Sequence, residues 1–431
     1  MLNKIAITAL SRFFNALLSF AVVAIAARVF GAEGYGTIVL LILGITFIQL
    51  VNNFVGGSAL VYLVPREKVG HLFLLSYAWA LIVAVIGANL LFMFKLIPPE
   101  FRRETMLLSL ISGWASINMM IILGRERIKL YNILSVLQTL LIFGSILFFV
   151  FILKGNSIDY YIYALYIAYL STFLISLVSI RTDLIINDIS TIGNSIKPIL
   201  QYGGLIQLAN IFQFFNYRLS YYLLEKFSGK SELGKFAIGV QLAEGIWILA
   251  KSVALVQYAR LSNEPDNPEY AKNTTLIFLK LTVSGTLIML AVLLALPQSV
   301  FTWVFGTDFT NIRSVILILS PGILALAACN ILSHYFSGTG LPGFNTVSSA
   351  IGFAVVIISG FTLIPVSGIV GAGLATTLSH LSVFIYQAYW FKKISKSTFK
   401  EIYITASDIK KMVKELKTIM PCSKSNPETD L

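Results

Sequence analysis

The chain has 431 residues, 57% hydrophobic and only 12% charged, with a mean hydropathy of +0.83 and a formal net charge of +12. Soluble domains carry roughly 25% charged residues, so this composition excludes a water-soluble globular protein and points to a polytopic membrane protein. The positive excess does not argue for nucleic acid, because nine of the 32 basic residues lie beyond residue 391 and read as membrane topology.

The N-terminus begins like a signal peptide, with Lys4 before an apolar run. Arg12 interrupts that run and a second span follows at once, so a retained first helix is expected. Apolar segments long enough to cross a bilayer follow at about 5–27, 37–63, 72–96, 105–123, 130–153 and 158–180. A polar connector, 181–197, separates them from six more at about 198–224, 233–258, 273–296, 311–336, 345–364 and 369–391. Pro321 and Gly322 should kink the tenth segment. Glycines inside the spans, among them Gly56, Gly113 and Gly204, let backbones approach closely in lipid. Gly338-Thr-Gly340-Leu-Pro-Gly343 matches a dinucleotide fingerprint only formally. It follows an apolar helix and contains Pro342, so it reads as a turn. Three scattered histidines (His71, His334, His380) lack metal-ligand spacing, and Cys329 and Cys422 fall in an apolar span and a polar tail. No metal and no cofactor is implied.

Two stretches organise this pattern. Arg28-Val-Phe-Gly-Ala-Glu-Gly-Tyr-Gly36 joins the first and second spans, and Lys226-Phe-Ser-Gly-Lys-Ser-Glu-Leu-Gly-Lys-Phe236 joins the seventh and eighth. A shift of 198 positions lays Arg28 on Lys226, Gly31 on Gly229 and Gly36 on Gly234. The expected fold is therefore an all-α polytopic membrane protein of twelve transmembrane helices, arranged as two six-helix bundles related by a pseudo-two-fold repeat around a central cavity. The expected parts are an N-terminal bundle (1–180), a cytoplasmic connector (181–197), a C-terminal bundle (198–391) and a basic cytoplasmic tail (392–431).

The first stretch, a basic residue, a hydrophobic pair, Gly31, an acid, then Tyr35-Gly36 before a long apolar run, resembles the start of bacterial polysaccharide transporters. These are the O-antigen or Wzx-type flippases of the multidrug/oligosaccharidyl-lipid/polysaccharide export superfamily. The second stretch, continuing through Leu242-Ala-Glu244-Gly-Ile-Trp247, is similar to the same family's connection between helices seven and eight. The resemblance spans about residues 5–392. It implies a flippase moving an undecaprenyl-diphosphate-linked oligosaccharide across the bacterial inner membrane, with a polysaccharide polymerase and a chain-length regulator as partners.

In the tail, Ile409, Met412, Val413, Leu416 and Ile419 fall at helical spacing opposite Lys410, Lys414 and Lys417. That pattern suits a basic amphipathic helix on anionic lipid, or a merely topogenic tail. With the N-terminus in the cytoplasm, ten basic residues lie in the N-terminus and cytoplasmic loops, nine in the tail and nine on the opposite side. The tail and the even helix count thus place both termini in the cytoplasm.

Four basic residues remain inside spans: Arg12, Arg218, Lys251 and Lys280. Glu244 is the one acid well inside a span. A charge at the bilayer centre costs ~2.5–3.5 kcal/mol on insertion scales, so such groups face a cavity or a partner. Their balance suits an anion, and a guanidinium fork matches phosphate oxygens. The rival readings are structural: Arg218 paired with Glu244 or Glu225, Lys280 reaching an interface along its flexible stem, and Glu244 neutralising a neighbour. Gln207, Asn210, Gln213 and Asn216 recur at steps of three on the seventh helix. They read either as a hydrated wall for sugar hydroxyls or as interhelical glue, as do Asn15, Asn52, Asn118 and Gln138. A drug or cation exporter of the same superfamily is the alternative function, and it calls for embedded acids. A membrane glycan polymerase or ligase needs a large outer loop, but the longest loop besides the connector runs about 14 residues. A lipid II flippase is a further reading; members of that branch resemble this fold but usually carry fourteen spans, and twelve argues against it.

Overall fold

The computed structural model describes residues 2–184, 196–263, 267–398 and 401. All regular structure among them is helical: α1 (Leu2–Gly56), α2 (Ser58–Leu63), α3 (Val69–Met93), α4 (Arg102–Gly124), α5 (Ile128–Leu147), α6 (Asp159–Ile180), α7 (Ile196–Asn263), α8 (Pro268–Ala295), α9 (Gln298–Phe305), α10 (Ile312–Gly338) and α11 (Gly343–Ser395).

Three elements are too long for one crossing. A bilayer core of ~30 Å takes ~20 helical residues, whereas α1 has 55, α7 has 68 and α11 has 53. Each is bent at one glycine: Gly31 (φ 68°, ψ −177°), Gly229 (φ 86°, ψ 173°) and Gly368 (φ 52°, ψ −123°). The first two share a backbone conformation that is essentially restricted to glycine, and they are the pair that the repeat aligned. Counting each arm separately gives twelve spanning helices among the described residues, as the sequence predicted. The chain is a multi-pass membrane protein.

Two compact units divide it, 1–237 with 299–310, and 238–298 with 311–431. Most of the expected connector, 185–195, lies outside the described residues, as does the predicted amphipathic helix in the tail. The expected boundary at the connector stays a proposal.

Side-chain size sorts the helix faces. On α3, Ala80, Ala84 and Ala88 are buried, while Ile82, Ile86, Leu90 and Met93 are exposed. In lipid the outer face is as apolar as the inner one, so small residues mark the packed side and bulky ones the lipid side. The packed side is also where the amides go. Asn118 of α4 accepts from Tyr77 Oη at 2.7 Å and donates to Ser176 Oγ at 3.0 Å, tying α3, α4 and α6 together. Gln49 donates to the Ser109 carbonyl at 2.8 Å and to Ser112 Oγ at 2.7 Å.

Pro321 does not end α10, which runs through it, and Gly322 beyond it packs against Thr377. The glycine-rich stretch after α10 is a helix cap. Gly340 (φ 77°) lets Leu341 N–H reach the Phe336 carbonyl at 2.7 Å and its own N–H reach that of Ser337 at 3.3 Å, a Schellman closure.

Candidate functional site

The two repeated stretches meet within the first unit. A β-carbon built on Gly36 would lie 1.9 Å from the Lys230 carbonyl oxygen and 3.2 Å from Gly234 N. One built on Gly234 would lie 2.0 Å from the Ala32 carbonyl oxygen and 3.1 Å from Gly36 N. Ala32 and Lys230 are equivalent in the repeat, so each half of this contact is the image of the other. Backbone meets backbone here, and no side chain fits at either glycine.

The remaining turns on this side reach the same point. Asp308 Oδ2 accepts from Ala32 N at 3.2 Å, and Arg28 Nη1 donates to the Trp303 carbonyl at 2.8 Å. Lys230 Nζ lies 3.2 Å from Glu100 Oε1. Trp303 is on α9 and Asp308 follows it, before α10, while Glu100 is in the turn between α3 and α4. The acid serving position 32 thus comes from the second repeat, and the acid serving its equivalent, 230, comes from the first. The sequence carried no sign of these pairs.

Below the crossing, the second arm of α1 and the first arm of α7 run antiparallel. Phe47 sits against Phe214 and Phe215 at 5.7 and 5.6 Å, and Gln207 Nε2 donates to the Leu50 carbonyl at 3.3 Å. Arg218 lies between these contacts and the crossing. Its Nη1 donates to Tyr221 Oη at 3.0 Å, and its guanidinium stands 5.1 Å from that ring's centre.

The other polar groups of this arm do not form a single stripe. Gln207 and Asn216 are buried, Asn210 is half-buried against Gln207, and Gln213 is exposed and bonds Tyr217 Oη at 3.1 Å. A step of three falls ~60° short of a full turn, so positions nine residues apart face opposite ways. Gln207 reaches across to the second arm of α1. Arg12 is exposed on the first arm of α1 and has no ion pair among the described residues. One turn on, Asn15 donates to Ser135 Oγ of α5 at 2.9 Å.

The remaining candidates belong to the second unit. Lys251 is exposed, with Nζ 3.9 Å over the Trp247 ring, and Glu244 is half-buried on the same arm of α7. Lys280 differs from the other embedded charges in its burial. It is 8% exposed, and it is the only Lys, Arg, Asp or Glu among the buried described residues. It sits mid-helix on α8, whose neighbouring turns bury Thr275, Leu276, Leu279 and Thr282, so the ammonium is held inside.

No protein-family model matches the chain. It is 27% identical over 177 residues to the capsular polysaccharide biosynthesis protein CapF of Staphylococcus aureus, covering 40% of this chain and 44% of that protein. It is 29% identical over 111 residues to the uncharacterized membrane protein MJ1068 of Methanocaldococcus jannaschii, covering 26% of this chain and 22% of that protein. The chain thus matches less than half the length of either relative. Among solved structures, the lipid II flippase MurJ in an inward closed conformation superposes with a TM-score of 0.71 at 15% identity, over 96% of this chain and 91% of that one. An inward-facing multidrug resistance MATE family transporter gives 0.69 at 15% identity, over 89% and 96%. A MOP superfamily transporter from Pyrococcus furiosus gives 0.62 at 15% identity, over 92% and 95%. The chain shares the fold of these three solved structures.

Proposed function

We propose that the chain is a flippase for a lipid-linked oligosaccharide. Its substrate is an undecaprenyl-diphosphate-linked repeat unit of O-antigen or another surface polysaccharide, moved from the cytoplasmic to the periplasmic leaflet of the inner membrane. Both termini are cytoplasmic, and the two repeats alternate access. The observation that carries this reading is the sign of the embedded charge: Arg12, Arg218, Lys251 and Lys280 against Glu244. Arg218 stands 5.1 Å from the centre of the Tyr221 ring and Lys251 3.9 Å from that of Trp247, and such aromatic faces help to orient a cation. The partial match to a capsular polysaccharide protein and the shared fold with a lipid II flippase support a lipid-linked substrate. An inside-negative potential favours outward movement of anions by ~2.3 kcal/mol per charge per 100 mV, so a diphosphate head group needs no proton-carrying acid.

In this reading the crossing at Gly36 and Gly234 lies on the side of the membrane that the topology makes periplasmic. Transport requires that contact to part.

The test is reconstitution in liposomes with a fluorescent undecaprenyl-diphosphate oligosaccharide, scoring its exposure to a membrane-impermeant quencher with and without an imposed potential. Flipping accelerated by an inside-negative potential supports the reading, and indifference to it removes the driving force. The second reading, a drug or cation exporter, draws on the fold shared with MATE transporters and on Glu244. It is favoured if the same liposomes move a lipophilic cation and leave the lipid-linked sugar in place. Lipid II offered as competitor separates a peptidoglycan precursor from a surface-polysaccharide unit.

A further inference from the structure

One cavity in the first unit is outside this reading. It holds about 350 Å³ and is lined by Ala88, Asn89, Pro99, Glu100, Arg102, Arg103 and Met106. It lies where α3 ends and α4 begins, on the same side of the membrane as the bends at Gly31 and Gly229. Two guanidinium groups face one small space. Arg102 donates to Asn89 Oδ1 and stacks 4.7 Å over the Phe92 ring, which fixes its plane. Of its five donors, that contact commits one. Arg103 is exposed and holds no ion pair among the described residues. Glu100, the one acid in the lining, is answered by Lys230 at 3.2 Å. The lining is therefore net positive, and planar forks of this kind suit phosphate oxygens.

The surroundings say how that phosphate arrives. From Asn89 the exposed face of α3 carries Leu90, Ile86 and Ile82 in successive turns towards the bilayer centre, with Met93 and Phe94 exposed at its rim. A polar niche at the water boundary above a continuous aliphatic strip has the shape of a phospholipid, head group up and acyl chain down.

We infer that this cavity is a binding site for the phosphate head group of an anionic membrane lipid, held by Arg102 and Arg103 with its acyl chain along α3. The inference is independent of what the protein transports. The full chain, purified in neutral detergent, is titrated with palmitoyl-oleoyl phosphatidylglycerol, with the matching phosphatidylcholine and with inorganic pyrophosphate. Bound lipid is counted by native mass spectrometry.

Phosphatidylglycerol is expected to bind in preference to phosphatidylcholine. Arg102→Gln with Arg103→Gln is expected to weaken it about ten- to a hundredfold, the loss of one or two charge-assisted hydrogen bonds. Arg103→Gln alone, which breaks no ion pair, is expected to lose part of the preference in a chain that still folds. Arg102→Lys with Arg103→Lys is expected to retain part of it. Unchanged phosphatidylglycerol binding in both glutamine variants overturns the site. Displacement of the lipid by equimolar pyrophosphate overturns the lipid as its source, because a free anion would then suffice.

Discussion

Gly36 and Gly234 occupy equivalent places in two repeats 198 positions apart, and each closes on the backbone carbonyl four residues before the other. The first prediction tests the reciprocity. Gly36→Ala puts a methyl carbon where 1.9 Å is available, and Gly234→Ala does so at 2.0 Å. Overpacking of this kind costs ~1–3 kcal/mol. Each variant should part the crossing, read as a wider distance between spin labels beside the bends at Gly31 and Gly229. The two variants should do so to a similar degree. A large effect from one and none from the other would remove the symmetry.

The acids around the crossing should differ in strength. Asp308 accepts a backbone N–H, a charge-assisted bond worth ~1.5–3 kcal/mol. Glu100 and Lys230 form an exposed pair, and such pairs contribute ~0–1 kcal/mol. Thermal unfolding in detergent should therefore rank Asp308→Ala well below Glu100→Gln, with a small coupling in the Glu100–Lys230 double-mutant cycle.

Arg218→Ala should abolish surface polysaccharide while protein level and membrane insertion stay normal, and Arg12→Ala should do the same. Arg218→Lys should keep part of the activity, since charge survives and the fork is lost. Normal export from both alanine variants would leave the embedded charges without a role in transport.

Lys280 separates stability from function. Burying an ammonium costs free energy unless it is paired and hydrogen-bonded, and a methionine fills a similar volume without a charge to desolvate. Lys280→Met should unfold at the same or a higher temperature and yet transport poorly. A variant that transports normally assigns the lysine to packing.

The tail offers a pH-dependent contact. The Glu401 carboxyl is held below its ordinary value of 4.5, chiefly by the hydrogen bond from Lys272 Nζ and then by the Thr398 N–H. A lowered value means that the tether contributes fully above the ordinary carboxylate range and is lost as pH falls through the lowered one. A spin label on Lys396→Cys should gain mobility on acidification. With Glu401→Gln it should be mobile already at neutral pH and change little in acid.

What the sequence made legible follows from range. Hydrophobic runs and punctuating glycines are local, so twelve spans and the bends at Gly31 and Gly229 could be read directly. The pairings Ala32–Asp308, Arg28–Trp303 and Lys230–Glu100 join residues more than a hundred positions apart, and nothing at either end announces the other. The polar positions on α7 differ in exposure because a period of three drifts around a helix of 3.6. The burial of Lys280 is not written in the sequence, because a long stem permits snorkelling but does not compel it.

The crossing also says something about descent. A patch that mates with its own copy under a half-turn is what a symmetric homodimer uses. Each repeat carries its glycine in the place a twin would need, so one half-length chain would present both sides of this contact. Expressed as separate polypeptides, the two halves should still find each other through this patch.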